Sequence, residues 1–197
     1  MANICMDTVV FYAAFEEQES GLAALRQAVN DCYPVGTSVD DSRLCRIFEK
    51  NHIPMDGLSL RSNVVDTSLD EDGYITLYCD SAWSPVYEAY LCFADHFNVS
   101  FELQAEESGC GVYINTDING VYLSTHYKAC LLERPEDGFF DDIFDNAGGD
   151  TDLYFASEHA MLKWFKERGG IDADSVQALQ DILGDGFVSI HEFVNPY

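Results

Sequence analysis

The residues most able to do chemistry in this chain are its carboxylates, and the segment with the most suggestive spacing is DILGDGFVSIHE, Asp181 to Glu192. It puts Asp181 at the first position of a calcium loop, Asp185 at the fifth, Gly186 at the sixth and Glu192 at the twelfth, where such a loop takes oxygen ligands and its sharp turn. Leu183 holds the third position, which needs an oxygen, and FVSIHEFV alternates like a strand where an exiting helix is required. A helix stop at Gly184 and a turn at Asp185-Gly186 account for the segment better, and a metal site at Asp181, Asp185 and Glu192 is the weaker alternative. The turns Asp70-Glu71-Asp72 and Asn115 to Asn119 also carry the oxygens a hard cation takes, but the same residue types build hairpins without an ion.

A second arrangement interleaves acids with aromatics. Between Glu133 and Phe155, the acids Glu133, Glu136, Asp137, Asp141, Asp142 and Asp145 surround Phe139, Phe140, Ile143 and Phe144, which recur at helical spacing. A short helix docked by its apolar side would turn its carboxylates outward and form a partner-binding face, with charge to steer and aromatic rings to anchor. Trp83, where a strand turns into a helix, is a further candidate anchor for a partner.

Catalytic constellations are missing. Asp80, Trp83, Glu88 and His96 lie near one another in sequence without an acid-base spacing, and the five histidines show neither HExxH nor a paired pattern. Cys110 sits between two glycines, but Glu102, Glu106 and Glu107 around it would raise its thiol pKa. There is no GxSxG, P-loop or GxGxxG. The expectation is a protein that is not an enzyme and has no cofactor.

Charge narrows the partners. Thirty-five Asp and Glu against ten Lys and Arg give a formal net charge of -25, which disfavours direct binding to nucleic acid or an anionic membrane. A compact chain of this length has a radius of gyration of roughly 16 Å and a diameter of about 40 Å, and B-DNA of that length carries on the order of 25 phosphates. A basic protein surface, such as that of a host DNA-binding or defence protein, is the expected partner. Seven scattered cysteines without CxxC suit buried thiols in a reducing compartment. With neither a leader-like basic start nor an apolar run of about 20 residues, the expected location is cytoplasmic.

The elements that must position these residues follow from periodicity. Residues 4–12 read as a buried strand and 15–29 as an amphipathic helix, and a shorter apolar face lies around Leu44, Ile47 and Phe48. Strands follow at 62–67 and 74–79, then a helix opened by Ser84-Pro85, then three alternating stretches from Val99, the last two joined by Asn119-Gly120. The tail offers helices at 157–168 and 172–183 and a strand at 187–194. The expected fold class is α+β: a ferredoxin-like antiparallel sheet with helices on one face, an extra β-hairpin and a C-terminal acidic helical extension. The core would span residues 1–130, with an insertion at about 32–61, and the extension residues 131–197.

Three segments carry a family resemblance: Met1-Ala2-Asn3-Ile4-Cys5 leading into the first strand, Ser81-Ala82-Trp83-Ser84-Pro85 opening a helix, and EESGCGVYINTDINGVY from Glu106 to Tyr122. Together they resemble the YubB-type ferredoxin-like family of plasmids, phages and conjugative elements, over Met1 to about Lys128. The resemblance implies a ferredoxin-like sheet and a mobile-element origin, and it carries over no catalytic residues. The insertion and the tail from Leu131 lie outside its pattern.

Overall fold

The computed structural model describes residues 3–34, 41–69, 73–136, 138, 140–184 and 186–197. Asp137 and Asp185, and the turn Asp70-Glu71-Asp72, lie outside the described residues. The chain divides into two compact units, Met1–Thr116 and Asp117–Tyr197.

In the first unit, alternation along β1 (Ile4–Tyr12) turns Cys5, Asp7, Val9 and Phe11 inward. Leu22, Leu25, Ala28 and Val29 form the buried stripe of α1 (Glu19–Cys32), spaced as a helix requires. After α2 (Cys45–Asn51), β2 (Ser62–Ser68) and β3 (Tyr74–Ala82) pair with each other, and α3 (Tyr87–Phe97) leads into β4 (Ser100–Glu107) and β5 (Val112–Asn115). The sheet runs β2-β3-β1-β4-β5 with every neighbouring pair antiparallel. This order, with a helix between β1 and β2 and another between β3 and β4, is compatible with the expected ferredoxin-like arrangement. The β4–β5 hairpin is the extra one.

All three helices share one core with the inward face of that sheet, where Phe48 and Phe11 bring their rings to 4.5 and 6.3 Å from Phe93. Burying each such side chain stabilises the fold by about 1.5–3 kcal/mol. Gly21 lets α1 meet the end of α3: a Cβ there would lie 1.8 Å from the Phe97 carbonyl oxygen. Helix α3 begins at Tyr87 with Val86 as its N-cap residue, two residues beyond the Pro85 start the sequence suggests.

The second unit is a three-stranded antiparallel sheet, β7 (Asp152–Phe155), β6 (Tyr127–Leu131) and β8 (Val188–Glu192) in that order, with α4 (Asp141–Asn146), α5 (Glu158–Gly169) and α6 (Val176–Leu183). Its core gathers Ala129, Ile143, Met161, Phe165, Leu179 and Val188. Ser157 and Ser175 cap α5 and α6 by accepting from the Ala160 and Ala178 amides.

One expected hairpin is corrected. Residues around Asn119-Gly120 do not join two strands of the first sheet, because the buried Asp117 carboxylate accepts from the Tyr122 and Leu123 amides at 2.6 and 2.9 Å and folds the segment into turns. Tyr127–Leu131 pairs instead with β7 and β8. Among the described residues no helix is long and apolar enough to cross a membrane.

Candidate functional site

The most unusual side chain of the first unit is Asp7, a carboxylate only 2% exposed in the apolar face of β1. Strand pairing puts it beside β3, and Asp7 Oδ2 accepts from Ser81 Oγ at 2.6 Å and from Tyr90 Oη of α3 at 2.7 Å. The Cys5 thiol and the Val86 amide face the carboxyl and favour its ionised form without closing a hydrogen bond on Oδ1, the one buried side-chain oxygen left without a partner among the described residues. Burial outweighs these donors and raises the Asp7 pKa to about 6. Cys79, beside it on β3, is pushed up to about 12 by burial, and burial also holds Tyr90 well above its ordinary value. Both stay protonated.

Ser81 links this buried acid to a second buried hydroxyl. Its Oγ lies 2.9 Å from Ser62 Oγ on β2, and the two serines are only 2% and 3% exposed. Both line an open cavity of about 470 Å³ at this end of the sheet, with Asn3, Arg43, Arg61, Asn63 and Asp80 as its other polar walls and Ile4, Leu60 and Ala82 as its apolar ones. Arg43 is already matched, its Nε and Nη2 donating to the two Asp41 oxygens at 2.9 and 2.8 Å. The Arg61 side chain has no hydrogen bond or ion pair among the described residues.

Trp83 stands next in the chain to the cavity wall at Ala82. It is 45% exposed and has φ 72°, whereas the other non-glycine residues with positive φ among the described residues, His52 and Asn98, terminate helices. A left-handed conformation at a bulky residue costs about 1–3 kcal/mol. Its amide donates to the Asn3 carbonyl at 3.0 Å and so ties the start of β1 to the end of β3.

The acidic segment of the second unit is organised by one cation. Arg134 Nε donates to Asp141 Oδ1 at 2.6 Å and Arg134 Nη2 to Asp145 Oδ1 at 2.7 Å, so two of the carboxylates expected at a partner face are clamped within the chain. Glu133, Glu136 and Asp142 are exposed, while Phe140 and Ile143 are buried beneath them. Of the metal candidates, Asp181 accepts from Gln177 on α6 and Glu192 accepts from Tyr127 across the β8–β6 pair. No group of three His, Cys, Asp or Glu able to hold a metal ion occurs among the described residues. Asp80 lines the cavity on β3, whereas Glu88 and His96 belong to α3, where His96 packs edge-on against Phe97. The exposed Cys110 thiol is pushed up by its hydrogen bond to Glu107.

No family model, no curated protein and no solved structure matches this chain.

Asp7, Ser62, Ser81 and Arg61 are functional candidates that periodicity passes over. The available signal was Asp7 itself, a single carboxylate inside the run ICMDTVVFY, where β-strand alternation points it at the core.

Proposed function

We propose that this chain is a non-catalytic binding protein of a mobile element whose carboxylate surface engages the basic patch of a host DNA-binding or defence protein in competition with DNA. The observation that carries the reading is the use made of its few cations. Eight of the ten Lys and Arg side chains are hydrogen bonded or ion paired within the chain, from Arg26 on the Tyr74 carbonyl to Lys166 on Asp172. The cations are thus mostly held at fixed places within the chain, and the net charge of -25, which already counts all ten, is what a partner meets. The excess is shared, with nineteen carboxylates against five cations in residues 1–116 and sixteen against five in residues 117–197. Glu133, Glu136 and Asp142 beside the docked α4 are the contacts this reading favours in the second unit, and exposed Trp83 is the one it favours in the first.

The test is competition. A host DNA-binding protein retained by the immobilised chain at low salt is expected to be displaced by duplex DNA, with log affinity falling linearly in log salt as for phosphate contacts. Replacing Glu133, Glu136 and Asp142 by their amides is expected to weaken retention. A retained protein indifferent to both salt and duplex would sink the reading.

A further inference from the structure

We propose that the outer face of the first unit's sheet docks an amphipathic helix of a partner protein, its apolar side on Ile4, Met6 and Tyr78 and its Lys or Arg side chains beside Asp80 and Asp66. The site belongs to the first unit alone and does not rest on the reading above.

Strand alternation and register assemble it. Cys5, Asp7 and Val9 of β1 and Leu77, Cys79 and Ser81 of β3 are buried on the side that α1, α2 and α3 cover, so Ile4, Met6 and Thr8, with their partners Ala82, Asp80 and Tyr78, face the other way. On that side Ile4 is 60% exposed, Met6 55% and Tyr78 39%. Single exposed apolar side chains are ordinary, whereas three in adjacent rows of two neighbouring strands form a patch of the kind that marks an interaction surface. The strip has a limit, because Val10 and Thr76, the next row on the same face, are buried. Its three rows span about 13 Å along the strands, the length of about nine helical residues. At the open end Ile4, Leu60 and Ala82 form the apolar walls of the 470 Å³ cavity and offer a seat to one large anchoring side chain.

Backbone pairing decides the shape of the occupant. Strands β1 and β3 are interior, bonded to a neighbour on both sides, so this face offers side chains and no free ladder. An extended peptide laid across it would leave its own amides and carbonyls unmatched, whereas a helix satisfies them internally.

Charge selects the partner. Asp80, in register between Met6 and Asn63, has no hydrogen bond or ion pair among the described residues, and the exposed Asp66, opposite Tyr78, accepts from the Thr67 amide at 2.8 Å. Arg61 is the nearby cation left to oppose them, since Arg43 is matched by Asp41. Residues 1–116 hold nineteen carboxylates against five cations, so the field beyond the strip draws a cationic segment. A second copy does not fit. A two-fold contact on this face would set Asp80 and Asp66 of both chains together, each chain with a net charge of -25.

Fluorescence anisotropy of a labelled leucine and lysine helix of about 18 residues, its leucines at i, i+3, i+4 and i+7, titrated with the full chain near physiological salt, tests the assignment. Saturation is expected with a dissociation constant below about 100 μM. A companion helix with glutamine for every leucine is expected to bind about tenfold more weakly or worse, because its charge is kept and its apolar side is lost. Replacing Ile4 and Met6 together by threonine, at exposed strand positions, is expected to weaken the leucine helix about tenfold or more, and Asp80→Asn by about two- to fivefold, with circular dichroism checking that each variant is folded. Amides at Glu133, Glu136 and Asp142, which probe the second unit, are expected to leave this affinity within about twofold. Equal binding of the glutamine helix, an affinity unchanged by the two threonines, a loss on amidating the second unit, a chain that sediments as a dimer until Ile4 and Met6 are replaced, or no saturable binding would each overturn the proposal.

Discussion

Asp7 sets a conflict at the scale of one residue. A carboxylate 2% exposed is favoured by its donors and disfavoured by burial, and burial wins, raising its pKa from 3.8 to about 6. Because the folded state then holds the proton more tightly than the unfolded chain, the stability linked to Asp7 is fully present below about pH 4 and is lost as the pH rises to about 6. The shift corresponds to about 3 kcal/mol, an order-of-magnitude figure. Asp7→Asn, which keeps an acceptor for Ser81 or Tyr90 and cannot ionise, is expected to be more stable than the natural chain at pH 7–8 by about 1–3 kcal/mol. It should also lose the part of the stability change between about pH 4 and 6 that Asp7 causes. Urea unfolding across that range measures both effects, and a variant equally destabilised at every pH would show that Asp7 is a structural bond and not a suppressed charge.

At the scale of elements, α1 depends on how closely it can approach α3. A Cβ on Gly21 would sit 1.8 Å from the Phe97 carbonyl oxygen, which is backbone and cannot rotate away. Gly21→Ala is therefore expected to destabilise the first unit by about 3 kcal/mol, although alanine is the better helix former by about 1 kcal/mol; thermal unfolding would report it, and an unchanged melting temperature would mean that the two helices are free to part. That contact is invisible in the sequence, where Gly21 is simply a weak helix residue. The elements of the first unit were legible because each has its own period: alternation in β1, β3 and β4, and the recurrence of Leu22, Leu25 and Val29 in α1. In the second sheet β8 was legible as the strand at 187–194, but the sheet that it forms with β6 and β7 was not. Strand β7 has only four residues, too few to alternate visibly, and Asn119-Gly120 imitates a hairpin whose place is decided by Asp117 accepting from amides further along the loop. The cavity was equally hidden, since Asn3, Arg61, Ser62 and Ser81 come from three places in the chain and meet only through the β1–β3 and β2–β3 registers.

For the whole molecule the question is whether salt strengthens or weakens it, and two opposing effects decide. The exposed pairs of Arg43 with Asp41, Arg134 with Asp141 and Asp145, Lys163 with Glu167 and Lys166 with Asp172 lose strength as ions screen them, but exposed pairs contribute little to stability. Against them stands the mutual repulsion of the unmatched carboxylates, fourteen in residues 1–116 and eleven in residues 117–197. Screening over a Debye length that shrinks from about 30 Å at 0.01 M to about 8 Å at 0.15 M removes much of that repulsion. The repulsion is the larger effect, so sodium chloride across that range is expected to raise the melting temperature by several degrees, about 2–4 °C for each kcal/mol gained. Because both units carry the excess, every transition in a calorimetric scan should move upward, whether or not the two units unfold together. The same salt should release a basic partner, since there the screened interaction is attractive. The opposite signs make the pair of measurements decisive: a complex that dissociates while the free chain grows more stable has lost its electrostatic attraction, and one that dissociates as the chain melts has lost its fold.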